Sequence, residues 1–288
     1  FSIYCASILT NLKLGISSSI FWIALTRTLS NFSIPIKLIS GYFSINLRFR
    51  SILKFYLQCF SIGLVSYFIY VCVTPDVLSI KPLLGRLFAF SHNHWWFVIS
   101  YLCLMLFSPI LNTAVKNLSP KKLLVSILMF SIIIFYFGWY KWLESNNDGY
   151  SFLHFVFLYL IGRYIGEYMS LSSIRQYRWY SLFGYIMGCM GCFVLVLLRY
   201  YTEWKIRFHF EYDHPLVVLS AVCLLLLLSF NFQSKLVNWC ASSVFAAYLL
   251  QESPYFGRSF LYPFVADLFD NITQFKIGGC ILMSLSFL

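Results

Sequence analysis

The feature that most constrains this chain is its succession of long apolar runs with almost no charge, such as residues 216–230 (LVVLSAVCLLLLLSF). Hydrophobic residues make up 60% of the 288 and charged residues only 11%, where an average soluble domain carries about 25% charged residues. So much apolar surface cannot be hidden inside one soluble core. Lipid is the solvent that such runs fit, because crossing the hydrocarbon takes roughly 20 mostly apolar residues. Backbone groups in lipid must be satisfied within their own segment, which predicts helices. A membrane barrel is set aside, since its strands alternate polar and apolar residues and these runs are apolar on every side. The expected fold is all-α, a polytopic transmembrane helical bundle.

Setting apolar runs against charged breaks places about nine spans, at 30–47, 55–73, 95–115, 123–140, 152–168, 179–200, 215–231, 236–252 and 276 to the end. Residues 1–9 (FSIYCASIL) read as the tail of an earlier span. The sequence shows no internal repeat, low-complexity tract or long polar linker, so residues 1–288 are expected to form a single membrane domain. A formal net charge of +11 would suggest nucleic acid in a soluble protein. Here the basic residues fall in short loops, which makes them a topology signal and excludes a nucleic-acid partner. Arg48, Arg50, Lys54, Lys116, Lys121, Lys122, Arg175, Arg178 and Lys235 fall on one side with no acid in those loops. Lys81, Arg86, Lys141, Lys205, Arg207, Arg258 and Lys276 fall on the other, offset by Asp76, Glu144, Asp148, Glu203, Glu211, Asp213, Asp267 and Asp270. The first side is therefore expected to be cytoplasmic. The outer loops 74–94, 202–214 and 253–276 are the longer ones and the expected place of contact with a polar substrate.

Several residues stand out against this background. Lys37, in SIPIKLISGYF, puts a cation near mid-membrane, which marks a functional cavity unless the side chain snorkels to an interface. Arg163 and Glu167 stand four apart on one helix face and read as a structural ion pair. Gly162 and Gly166 form a GxxxG, as do Gly184 and Gly188, a spacing that lets helices approach closely. The nine cysteines sit mostly inside apolar segments, where Cys behaves as a small hydrophobe. The CxxC of Cys189 and Cys192 lies mid-span and reads as packing. His92 and His94 have no Asp, Glu or Cys at ligand spacing, so no metal site is expected. Arg48, Arg50 and Lys54 cluster where the first full span ends, either as the positive-inside signal or as a phosphate-binding group.

The order of four segments, 33–43 (SIPIKLISGYF), 95–112 (WWFVISYLCLMLFSPILN), 157–166 (FLYLIGRYIG) and 241–250 (ASSVFAAYLL), resembles the acyltransferase-3 family of bacterial membrane O-acyltransferases. That resemblance implies transfer of an acetyl or other acyl group from acyl-CoA, as co-substrate and without a cofactor, to a hydroxyl of a surface polysaccharide. It implies membrane lipid, acyl-CoA and a glycan or lipid-linked saccharide as partners, and a bacterial inner or plasma membrane as the location. It makes Arg48, Arg50 and Lys54 candidates to meet the CoA phosphates, and Lys37, Ser40, Gly41, Tyr42, His154 and Arg163 candidates to line the cavity. The family's catalytic signature, an Arg and then a His in the first span, would fall before Phe1. A chain truncated there is expected to be inactive, with its catalytic residues unassigned. Lys37 and Gln251 depart from the family pattern, where Phe and His are usual. A transporter or flippase for a lipid-linked saccharide is the reading of a different class, although no repeat symmetry supports it.

Overall fold

The structure, a computed structural model, describes residues 33–73, 95–141, 149–202, 212–228, 245–250, 252–253 and 255–256. Residues 1–9, most of the span expected at 236–252, the span expected from 276, and His92, His94, His209 and Gln251 lie outside the described residues. Regular structure among the described residues is helical throughout. In chain order the helices are α1 (Ser33–Tyr42), α2 (Phe49–Val73), α3 (Trp96–Asn117), α4 (Pro120–Ile132), a π-helix (Ile133–Tyr140), α5 (Phe152–Tyr168), α6 (Leu171–Gln176), α7 (Arg178–Thr202) and α8 (Pro215–Leu228).

The expectation of nine membrane spans is corrected by these lengths. Three helical stretches among the described residues are long and apolar enough to cross a bilayer: Phe49–Val73, Trp96–Asn117 and Pro120–Tyr140, the last joining α4 to the π-helix. Among the described residues helix α1 has 10 and α8 has 14, where a span requires roughly 20. Helix α5 has 17 and carries Arg163 and Glu167 in its second half. Hydropathy marks apolar runs, but local stop and start signals set where each helix ends. The chain leaves α1 through Ser44, a non-glycine residue at φ 64°. Before α5, Gly149 turns the chain at φ +83° and the Ser151 hydroxyl accepts from the His154 amide, an N-cap that fixes the first turn. Ser119 caps α4 in the same way, with Pro120 opening the helix. In Phe49–Val73 only 22% of the apolar window is buried, and Val65, Phe68 and Val73 are more than half exposed. Outward apolar faces on several long helices make this a multi-pass integral membrane protein.

The chain divides into two compact units. The first comprises Phe1–Ile45, Phe107–Phe230 and Ile277–Leu288. Its core joins Ile34 and Leu38 of α1, Leu123 and Ile127 of α4, Phe157, Leu158 and Ile165 of α5, and Val217, Ala221 and Leu225 of α8. Helices α1 and α5 pack in the same direction through glycines. A Cβ on Gly41 would strike the Tyr159 carbonyl, one on Gly162 the Leu38 carbonyl, and one on Gly166 the Tyr42 carbonyl. Where lipid removes the hydrophobic drive between helices, close backbone packing of this kind supplies much of the association. The second unit comprises Asn46–Leu106 and Asn231–Lys276. Cys59, Trp95, Val98 and Leu249 form its core. Phe55 stacks on Phe245 with centroids 5.2 Å apart, and Ser253 Oγ donates to Ser66 Oγ at 2.9 Å. The division falls at Leu106 and Phe107, within one turn of Pro109, where α3 lacks a backbone donor.

Candidate functional site

In the first unit α1 and α5 enclose a polar cluster. Lys37 and His154 are both completely buried, at 0% exposure. The Lys37 ammonium lies 4.1 Å from the centroid of the Phe155 ring and 4.9 Å from that of Tyr212. Those faces attract a cation through the ring quadrupole, and burial excludes snorkelling as the account of this lysine. Its charge lies within electrostatic range of His154. Neither ring nitrogen of His154 has a hydrogen-bond partner among the described residues.

Local structure explains this placement. The Ser151 cap makes His154 the third residue of α5, at the end of the helix nearest the Gly149 turn. A side chain at Gly149 would collide with the backbone of Tyr212 and Asp213. The turn and the 212–214 segment therefore seat directly on each other, with Tyr150 edge-on to Tyr212 at 4.9 Å. His214 Nδ1 accepts from the Leu216 amide at 3.2 Å, capping α8 with an imidazole. Its ring packs edge-on to Trp139 of the π-helix at 4.7 Å. Burial pushes the His214 imidazole down to about 4, because the charged form cannot be solvated there.

Farther along α5, Tyr159 closes a second network. Its hydroxyl donates to Asn112 Oδ1 at 2.7 Å and accepts from the Ile45 amide at 3.2 Å, while Asn112 Nδ2 donates to the Ile45 carbonyl at 3.0 Å. The chain leaving α1 is thereby tied to α3 and α5. Arg163, 5% exposed, donates to Glu167 Oε2 at 2.6 Å, which is the pair its spacing indicates. The Tyr168 hydroxyl bonds the carbonyls of Val115 and Leu118, holding the loop before α4 against the end of α5.

The sequence candidates thus fall into two groups. Lys37, Ser40, Gly41, Tyr42, His154 and Arg163 all belong to the first unit. Lys37 meets the first turn of α5, while Gly41 and Tyr42 meet its backbone from Tyr159 to Gly166. Arg48, Arg50 and Lys54 belong to the second unit and lie exposed at the start of α2. Cys192 packs in the first core as an apolar residue. Sequence reading missed Phe155 and Tyr212 as partners of Lys37, and the Tyr159–Asn112–Ile45 network. A Tyr before Asp-His-Pro at a helix start was the one available signal for the second ring.

The sequence pattern of the acyltransferase domain that defines the acyltransferase-3 family matches residues 14–288. The chain belongs to the acyltransferase-3 family. No curated protein and no solved structure matches it. Family membership gives a transferase of acyl groups embedded in the membrane.

Proposed function

We propose that the chain moves an acetyl or other acyl group from acyl-CoA to a hydroxyl of a cell-surface glycan, in a bacterial inner or plasma membrane. The observation that carries this reading, beside the family, is the wholly buried Lys37 and His154 within the first unit. Ionisable side chains inside a membrane protein are costly to keep there, and by default they mark a substrate path. In the transfer, the acceptor oxygen attacks the thioester carbonyl, the new C–O bond forms as the C–S bond breaks, and the hydroxyl proton ends on the CoA thiol. Ser40, Gly41 and Tyr42 shape the wall of the cavity, together with Arg163. Arg48, Arg50 and Lys54 meet the CoA phosphates through charge-assisted hydrogen bonds, for which exposed guanidinium and ammonium groups are suited.

The test is transfer of label from radioactive acetyl-CoA to glycan, in membranes carrying the protein as its gene encodes it. Replacing Arg48, Arg50 and Lys54 together by Ala is expected to raise the KM for acetyl-CoA about tenfold, roughly 1.4 kcal/mol of lost donor binding, with kcat within about twofold. A protein that neither binds acetyl-CoA nor moves label would overturn the reading. Translocation of a lipid-linked saccharide without acyl transfer would replace it by the flippase alternative.

A further inference from the structure

At the end of the first unit where α5 stops, exposed cations stand next to buried apolar anchors. Lys116 follows Val115, Lys122 precedes Leu123 and Arg175 follows Ile174, and those three neighbours pack in one core. Lys121 adjoins Lys122, and all four cations are exposed. Tyr168 draws these segments together. Its hydroxyl bonds the Val115 and Leu118 carbonyls, and two residues on Ser170 caps α6, whose last turn holds Arg175. The acid at this end among the described residues is Glu167, and Arg163 engages it. A positive excess is thereby fixed on one end of the unit.

Helix stability does not account for Lys121 and Lys122. They lie in the first turn of α4, which holds no acid, and the positive end of a helix dipole disfavours cations there. An anion in front of that turn meets the lysines and the favourable end of the dipole together.

The surface beside the cations narrows the class of anion. Beyond Lys122, Val125, Met129, Ile132, Tyr136 and Tyr140 are exposed, one every three or four residues and therefore on one face. That stripe lies on Pro120–Tyr140, a stretch long and apolar enough to cross a bilayer. Beyond Arg175, Trp179 and Tyr180 are 76% and 74% exposed, and Phe183, Met187, Met190 and Val194 continue an exposed apolar face along α7. Trp and Tyr are the side chains of the membrane–water boundary. A soluble polyphosphate gains nothing from such surface. A phospholipid, with a charged head and apolar chains, matches cation, aromatic ring and apolar stripe in that order.

We propose that this end of the first unit docks acidic phospholipids. Lys116, Lys121, Lys122 and Arg175 hold the headgroup phosphates, and the acyl chains lie along the exposed faces of α4 and α7. Basic groups at a membrane surface attract anionic headgroups in this way, and the assignment does not depend on acyl transfer.

The test uses the purified full chain, as its gene encodes it, in detergent with phosphatidylglycerol, phosphatidylcholine or inorganic pyrophosphate added. The unfolding midpoint and the lipid retained in native mass spectra are followed. Phosphatidylglycerol is expected to raise the midpoint and stay bound, and phosphatidylcholine and pyrophosphate to leave the midpoint unchanged. Replacing Lys116, Lys121, Lys122 and Arg175 together by Gln is expected to remove the response. Should that variant not accumulate as folded protein, Lys121→Gln with Lys122→Gln decides, with apparent affinity for phosphatidylglycerol expected to fall about tenfold or more. Equal response to the two lipids would leave the cations as a topology signal only. A response to pyrophosphate matching that to phosphatidylglycerol would assign a soluble polyphosphate. Either result, no response to phosphatidylglycerol, or its full response retained in the variants would overturn the proposal.

Discussion

At the scale of single residues, His214 couples a helix cap to pH. Its imidazole caps α8 by accepting from the Leu216 amide, which only the neutral ring can do at that nitrogen. Its value of about 4 in the folded protein lies below the ordinary 6.5. The neutral form is therefore favoured on folding, and the stability this brings is fully present above about pH 6.5 and lost as pH falls towards 4. At about 1.4 kcal/mol per unit, the loss reaches roughly 3 kcal/mol. His214→Asn keeps a side-chain acceptor at the cap and has no proton to gain. Its unfolding midpoint in detergent is expected to change less between pH 7 and 4 than that of the wild type, and parallel pH profiles would refute this assignment. Lys37 shows how far a single residue is legible in sequence. A cation in SIPIKLISGYF is anomalous on inspection, but its aromatic neighbours come from α5 and from the residues before α8, and only folding brings them to it.

At the scale of elements, the contact of α1 with α5 depends on backbone approaching backbone. The second GxxxG behaves differently. A Cβ on Gly184 would meet the Cys223 Sγ at 2.8 Å, a side-chain atom able to move aside. A Cβ on Gly162 would meet the Leu38 carbonyl, the Tyr42 amide nitrogen and the Gly41 Cα, and relief there requires separating two helices. Gly162→Ala is expected to destabilise the protein by about 1 to 3 kcal/mol, and Gly184→Ala by clearly less. Thermal unfolding of the two variants checks the order, and equal losses would contradict it. The GxxxG spacing identified both faces as packing faces. It does not name the partner, since the same spacing serves contact with backbone and contact with a side chain.

At the scale of the whole molecule, the alternation of basic loops predicts which ends face the cytoplasm. The loop between α3 and α4 joins two helices long enough to span and is flanked by Lys116, Lys121 and Lys122, so the positive-inside rule places it within the cell. Alkaline phosphatase, which is active only outside, is expected to be inactive when fused after residue 119 and active when fused after residue 148. The opposite pattern would invert the topology. The expected count of nine spans fails because hydropathy sums composition over a window, whereas a span also needs an unbroken helix of sufficient length. Helix α1 ends at Tyr42, and the chain turns at Ser44, inside the run expected to continue to residue 47.

The sequence by itself determined the solvent, the helical class, the order of motifs that marks the acyltransferase-3 family, and the Arg163–Glu167 pair. These rest on composition, order and short spacing, which a linear reading preserves. Only the tertiary structure decided that Lys37 is enclosed rather than snorkelling, that Gly41 and Gly162 face each other, and that the basic cluster of α2 and the buried Lys37 belong to different units. Those outcomes depend on contacts between segments far apart in the chain, and packing geometry chooses such partners among many that are equally apolar.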